Sequence, residues 1–391
     1  MKWSCFDCET NIKNAGEGAV GGFSGNPHSD QNRIVCYGEG GIRGGERWIE
    51  TEYEAEGVDR NSPCPWFLQR AADGNDMLVV GHHLEFDLQY CHKTWPDKFY
   101  EALPHLHIWD TQQVEYLLSG QSLMYPSLDE CCEARGYPLK DDEIKEYWKQ
   151  GIDTAFIPKD KLLSYQRGDV ENTMSVFLDQ YNELHEDPKL MALVKVKMDD
   201  LLMTCMMAIH GMKFDLTVAA DKLAGIDAEA EVLYNKLIEE GKPYFPEGYN
   251  FLPSSPKQVS ALLFGGEVKM DVVVETGQVF KTGARKGQPK TRKETQVFPV
   301  KGFGLPTKKI PPTKDGFSTN EEHLLTLSHP YITDLLAWRA LTKDSETYFR
   351  GYSALVWPDG MIRPSFNHES TATGRQSCSQ PNLQNVSSED D

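Results

Sequence analysis

Over the first 185 residues, short apolar runs alternate with stretches of helical periodicity. Residues 1–8 read as a strand, followed by a Gly-rich polar loop at 14–32 and a pair of strands at 33–38 and 46–51. A helix is expected at 65–72, a buried strand at 77–80 and a helix from about 87 to 95. A short strand at 108–109 then runs into a helix at 111–118, and a long helix is expected over 161–184. Strands alternating with helices predict an α/β sheet with helices packed on its faces.

From about residue 186 the texture becomes mainly helical. Residues 188–210 carry Leu and Met at helical spacing, with Gly211 as a stop, and Asp215 can cap a helix reaching towards 240. Ser255-Pro256 places Ser at an N-cap and Pro at the first helical position. Residues 272–303 alternate β-branched positions with glycines and lysines, which predicts a β-hairpin, and 318–327 and 331–352 return to helix. This change of texture sets a domain boundary at 185/186, with a hairpin insertion at about 270–314 in the part that follows.

Composition narrows the class. Hydrophobic residues are 39% and charged residues 25% of the 391, a globular balance. No apolar run is long enough to cross a bilayer, and Met1 is not followed by an apolar signal segment. Nine scattered cysteines suit a reducing cytoplasm better than a disulfide framework. The net charge of −19 is uneven: residues 281–314 hold ten cations and one acid, a local +9. A basic strip on an acidic body fits a chain that touches nucleic acid in places; surplus lysines on a solvated loop fit it equally.

Asp7 and Glu9 lie two apart on an expected strand, so both carboxylates point to one face. Paired oxygen ligands of this kind suit Mg²⁺ or Mn²⁺. Gly81-His82-His83-Leu84-Glu85-Phe86-Asp87 follows an apolar strand, which puts Asp87 where open α/β sheets place their sites. Tyr165 and Asp169, four apart on a helix, share a face.

These three elements resemble the exonuclease motifs of the DEDD proofreading nucleases, tyrosine subclass, and Trp109-Asp110-Thr111 is similar to a segment common in that fold. The resemblance implies a ribonuclease H-like mixed sheet flanked by helices, and two divalent cations, Mg²⁺ or Mn²⁺, about 3.5–4 Å apart. It implies that Asp7, Glu9 and Asp169 hold the first metal, that Asp7 bridges to the second, and that Asp87 acts through its water. Tyr165 would orient the attacking water, and Thr10 would contact DNA. The chain departs from the family at His83, where Asn is common.

Other patterns point elsewhere and are weaker. Cys5 and Cys8 are three apart on a strand and face opposite sides, with no second pair to complete a zinc site. His82, His83, Cys91, His92, His105 and His107 fit no standard metal spacing. Met203, Met206 and Met207 are expected in a helical core.

Later segments resemble family A (Pol I-like) DNA polymerases, especially phage types. Ser255-Pro256-Lys257-Gln258 and Leu262-Leu263-Phe264-Gly265 look like the thumb tip. Thr313-Lys314 with 318–321, and Arg339-x-x-x-Lys343 with Thr347-Tyr348, look like the segments leading into the long thumb helix. Thr371-Ala372-Thr373-Gly374-Arg375 and Pro381-Asn382-Leu383-Gln384-Asn385 resemble the opening of the palm. This resemblance implies a mainly α-helical thumb over 186–352 and a short palm stub over 353–391, after the exonuclease domain at 1–185. Ser255, Lys257, Arg339, Lys343, Arg375, Asn382, Gln384 and Asn385 would then contact primer–template DNA, the last four residues in the minor groove.

The family's palm aspartates and its Arg/Lys helix have no counterpart among these residues, so polymerisation is not expected of this chain alone. The resemblance implies a proofreading subunit of a split polymerase, acting on a single-stranded 3′ end, with a second polymerase chain supplying palm and fingers. A truncated copy of a single-chain polymerase, a non-catalytic DNA-holding or partner-binding module, and an RNA-trimming nuclease are the alternatives. The basic hairpin would grip duplex DNA or dock a processivity factor. The cytoplasm, or a host's cytoplasm for a phage protein, is the expected location, with no membrane partner.

Overall fold

The computed structural model describes residues 2–11, 25–139 and 143–386. Part of the expected loop at 14–32, and the tail from 387, lie outside the described residues. The chain divides into two compact units: Met1–Phe214 with Ala354–Asp391, and Asp215–Ser353.

The first unit is built on a five-stranded mixed sheet. Its strands are β1 (Lys2–Thr10), β2 (Ile34–Arg43), β3 (Glu46–Tyr53), β4 (Met77–Gly81) and β5 (Leu106–Asp110), in the order β3-β2-β1-β4-β5. β1 pairs antiparallel with β2 and parallel with β4. Helices cover it: α1 (Trp66–Ala72), α2 (Leu84–Thr94), α3 (Pro96–Ala102), α4 (Thr111–Leu118), α5 (Leu128–Arg135), α6 (Glu143–Lys149), α7 (Lys159–His185) and α8 (Pro188–His210). Cys5, Phe6, Met77, Val79 and Val80 are fully buried, as a sheet covered on both faces requires.

Two features of β2 shape the unit. Glu39 is buried, yet its carboxylate accepts bonds from Ser4 Oγ (2.7 Å) and from the backbone N–H of Trp66 (2.6 Å) and Phe67 (2.7 Å). It thereby supplies the N-terminal cap that Pro65 cannot give α1. Burial outweighs these donors and pushes its carboxyl up to about 7. Gly38 and Gly40 let α7 lie directly on the sheet. A Cβ at Gly40 would sit 2.8 Å from Val170 Cγ1 and 3.0 Å from the Trp48 carbonyl; one at Gly38 would sit 2.7 Å from Val170 Cγ2.

Several elements depart from the sequence expectation. α2 begins at Leu84 rather than near 87, because the Asp110 carboxylate accepts from the N–H of His83 (3.3 Å) and Leu84 (2.7 Å). α8 is not part of a second unit beginning at 186. Val194, Met198, Leu201, Cys205 and Ile209 bury into the first core, carrying that unit to Phe214. On the same helix Met203 and Met207 are exposed, correcting their expected place in a core, while Met206 packs on it. Residues 354–386 also belong to this unit. Tyr116 Oη donates to the Thr371 carbonyl (2.6 Å), and His368 Nε2 pairs with Thr204 Oγ1 (2.8 Å). They add short ladders, Met361–Ile362 on β6 (Met212–Lys213) and Ser365–Asn367 on Ser377–Ser379.

The second unit contains α9 (Leu216–Gly241), α10 (Pro256–Phe264), α11 (Glu321–Leu324) and α12 (Pro330–Lys343), around Leu237, Phe251, Leu262, Leu263, Tyr331 and Leu335. From the end of α10 rises a hairpin, β7 (Gly266–Val279) and β8 (Pro289–Val300), longer than the expected 272–303 at its base. The helix expected at 318–327 shrinks to α11. Arg339 Nη1 donates to the Thr319 carbonyl (2.5 Å) and the His323 ring pairs with Ser318 Oγ (2.8 Å), which hold 318–320 extended. α12 continues as a π-helical turn, Asp344–Arg350, rather than as one α-helix.

Substituting Gly40→Ala is expected to lower the stability of the first unit by about 1–3 kcal/mol through overpacking against α7. Thermal or urea unfolding, compared with Gly168→Ala on α7, whose Cβ would meet nothing within 4 Å at an ordinary backbone angle, checks this.

Candidate metal and nucleic-acid site

The centre of the site is set by strand alternation and one helix. Asp7 and Glu9 project from the same face of β1, and α7 brings Asp169 to them across β2. One carboxylate oxygen of each of Asp7, Glu9 and Asp169 lies within 4.8 Å of the other two. Asp169 is buried, while Asp7 and Glu9 are partly exposed. Three anions at this range repel by about 1–4 kcal/mol per ionised pair, nearer the lower end where water reaches them. A hard divalent cation relieves this, and an all-oxygen donor set is the chemistry that Mg²⁺ and Mn²⁺ select. The residues therefore fit such an ion.

Asp87 approaches β1 from α2. Its Oδ1 accepts from the Cys8 N–H at 2.9 Å, fixing it beside the Asp7–Glu9 pair rather than within the three-oxygen group. Burial, and then the Asp7 charge, hold its carboxyl well above the usual carboxylate range.

Asp110 fixes α2 and thereby Asp87. Its side chain caps α4 through Gln112 and Gln113 as well as α2, and Thr111 Oγ1 donates to the Gly81 carbonyl (3.0 Å). The turn between them places His83 at φ 60°, ψ 45°. Among non-glycine residues that region favours Asn, Asp and His, so His83 suits the backbone of this turn.

Tyr165 and Asp169 line one cavity of about 640 Å³, together with Arg47, Glu143, Lys161 and Ser164. The Tyr165 ring packs edge-on against Trp148 at 5.8 Å. A smaller cavity of about 240 Å³ is lined by His83, Phe86 and the buried carboxyls of Glu85, Asp110 and Glu369. Burial and then the Asp110 charge push both glutamates up to about 8.

Sequence reasoning missed Gln166, which is fully buried between the two site residues of α7. Its Nε2 donates to the Asp7 carbonyl (2.8 Å) and to Asp7 Oδ2 (2.7 Å). No spacing rule flags it; a polar residue on the inward face of the helix was the available signal.

The residues expected to contact DNA are dispersed. Thr10 is buried, with its side chain bonded to the Tyr90 hydroxyl. Ser255 caps α10 by position without a side-chain bond, and exposed Lys257 pairs with Asp315 (3.2 Å). Arg339 is half-buried and engaged with Thr319, whereas Lys343 is exposed, 5.8 Å from the Tyr348 ring. Arg375, Asn382, Gln384 and Asn385 are exposed; the Asn382 side chain accepts from the Gln384 N–H and so shapes its own turn. The hairpin end holds Lys281, Arg285, Lys286, Lys290, Arg292 and Lys293 without an intervening acid, and Arg285 lies 4.8 Å over the Phe280 ring.

Comparison with known proteins shows similarity to DNA polymerases. Residues 290–391 match the family model for DNA polymerase family A. DNA polymerase I of Streptococcus pneumoniae (strain ATCC BAA-255 / R6) is 26% identical over 253 residues, which are 63% of this chain and 24% of that protein. DNA polymerase I of Mycobacterium tuberculosis (strain ATCC 25618 / H37Rv) is 38% identical over 98 residues, 24% of this chain and 10% of that one. The thermostable DNA polymerase I of Thermus thermophilus is 33% identical over 123 residues, 31% of this chain and 15% of that one. The fold is similar to the POL domain of Pol1 from M. smegmatis, in complex with DNA primer-template and dNTP, with a TM-score of 0.58. That likeness, at 16% identity, covers 92% of this chain and 50% of the other. Homology to the family A, Pol I-like DNA polymerases is thus shown, and the matched part is under a quarter of these curated relatives' length. Among the described residues, no helix is long and apolar enough to cross a membrane.

If a cation is what balances the three carboxylates, Mg²⁺ raises the unfolding temperature of the wild-type first unit by ligand linkage. Glu9→Gln is expected to raise metal-free stability by about 1 kcal/mol and to lose that Mg²⁺ increment, both read by thermal unfolding with and without EDTA.

Proposed function

We propose that this chain is the 3′→5′ proofreading exonuclease and thumb portion of a family A DNA polymerase. The observation that carries the reading is the convergence of Asp7, Glu9 and Asp169 oxygens within 4.8 Å, in a chain homologous to DNA polymerase I. The sheet order β3-β2-β1-β4-β5, with β1, β2 and β3 successively antiparallel and β4 and β5 parallel to β1, supports a ribonuclease H-like assignment for the exonuclease domain. DNA synthesis would draw on palm and fingers groups outside this sequence, on a partner chain or on a longer version of this one.

In this reading Asp7, Glu9 and Asp169 would hold one divalent cation, and a second would be held by Asp7 directly and by Asp87 through its water. Two bound cations would lower the pKa of a water and stabilise the attacking and leaving oxygens of the phosphodiester. The chain's own groups do the positioning. Asp87, clamped by the Cys8 N–H and by the twofold capping of Asp110, keeps a fixed distance from β1. The Tyr165 phenol, braced by Trp148 on the same cavity wall as Asp169, orients the attacking water. Lys343, Arg375, Asn382, Gln384 and Asn385 are exposed and available to primer–template DNA. Arg339 orders the Ser318–Asn320 segment first, and meets DNA only through nitrogens that Thr319 leaves over.

With a 5′-labelled single-stranded oligonucleotide and Mg²⁺, the purified chain is expected to shorten the DNA stepwise from its 3′ end. Asp7→Ala should slow this by more than the roughly 100-fold that loss of an outer-shell partner costs, and EDTA should stop it. Intact, folded protein that leaves the oligonucleotide unshortened would sink the exonuclease reading in favour of a DNA-holding module.

The hairpin is proposed as a grip on the duplex backbone, with a processivity factor as the competing partner. Both of its faces are largely exposed, and its distal cations outnumber acids six to none over 281–293. Neutralising Lys290, Arg292 and Lys293 together is expected to flatten the slope of log K against log salt by about one to three, at about 0.9 per lost phosphate contact. Arg292 contributes least, since Glu294 lies 3.5 Å away. An unchanged slope in a fluorescence-anisotropy titration would move the hairpin to a protein partner.

A further inference from the structure

We infer that Gln166 is a positioning residue that holds the Asp7 carboxylate in its metal-binding orientation. The inference rests on the metal-site reading above and deepens it. A primary amide has two N–H donors and one carbonyl acceptor, and all three are assigned here. Both donors of Nε2 go to Asp7, one to its backbone carbonyl (2.8 Å) and one to its Oδ2 (2.7 Å). The Asp7 backbone carbonyl can only accept, which turns the Nε2 end of the amide towards Asp7, and the amide oxygen lies 3.8 Å from the Cys36 thiol.

The chelate of backbone and side chain restricts χ1 and χ2 of Asp7 together, since one group grips both ends of the residue. Asp7 is partly exposed at the sheet surface, and the chelate narrows the rotamers that its carboxylate samples. The neighbouring strand is cut to admit the amide. Asp7 pairs in register with Gly38, and a Cβ there would meet Gln166 Nε2 at 3.1 Å and Cγ at 3.2 Å. Gln166 is itself fully buried, so its rotamer is held by packing. Outer-shell partners that orient a ligand typically contribute about 10–100-fold in metal affinity.

The test measures Mn²⁺ binding, from the electron paramagnetic resonance signal of the free ion, on the full chain and four variants. Gln166→Met keeps length and loses both donors, and is expected to weaken Mn²⁺ binding about 10–100-fold. Cys36→Ala releases only the far end of the amide and should weaken it less. Val170→Ala loosens the same helix–sheet packing without touching Asp7; it should lower the unfolding temperature and leave Mn²⁺ affinity within about twofold, which a purely structural role would not allow. Asp7→Ala reports on the parent reading, and should abolish binding.

If Asp7→Ala abolishes binding and Gln166→Met does not weaken it, the inference on Gln166 fails and the metal site stands. If Asp7→Ala binds as the wild type does, the metal site itself fails. Equal losses in Gln166→Met and Val170→Ala would reduce Gln166 to packing. The wild-type protein supplies a check that does not depend on a variant's folding. The two ¹⁵N-labelled side-chain amide protons of Gln166 should exchange slowly with solvent and broaden on substoichiometric Mn²⁺. Fast exchange would overturn the contact.

Discussion

The site depends on how closely α7 can lie on the sheet. Two glycines on β2 remove the side chains that would hold the helix off, and Val170 fills the space they leave. The same close approach that buries Val170 and Met174 carries Asp169 to the face of β1 where Asp7 and Glu9 project. It also brings the Gln166 amide against Asp7. One helix–sheet contact therefore sets both a hydrophobic seam and a carboxylate cluster.

Gathering anions is unfavourable, and at Asp87, Asp110 and Glu39 fixed backbone dipoles offset it. The Cys8 N–H meets Asp87, and four backbone N–H groups meet Asp110 at the starts of two helices. Glu39 is treated the same way at the start of α1. Helix N-termini and strand amides stabilise buried carboxylates without placing a cationic side chain where a divalent cation would have to sit. At Asp7, Glu9 and Asp169, one oxygen of each lies within 4.8 Å of the other two, so added positive charge is favoured there.

The second unit follows a different logic. Its core, from Leu237 to Trp338, is ordinary helix packing, and the hairpin that rises from α10 is exposed on both faces for most of its length. A two-stranded ribbon of that kind contributes little to stability. Its basic end adds charge to an otherwise acidic chain, so its contribution is sought in contacts with polyanions.

Much was legible from the sequence alone. Strand alternation put Asp7 and Glu9 on one face, helical spacing put Tyr165 and Asp169 on one face, and the order of strands and helices predicted an α/β sheet. Those features are local, because the 2-residue and 3.6-residue periods act on neighbours along the chain. Tertiary structure alone decided which faces meet: that Asp169 crosses β2 to reach Asp7, that Asp110 caps a helix beginning 26 residues upstream, and that α8 buries against the first core rather than opening the second unit. It also decided that Met203 and Met207 point outwards and that Arg339 turns to Thr319. Gln166 shows the limit most directly, since its importance lies in a contact 159 residues away, which no periodicity along the chain encodes.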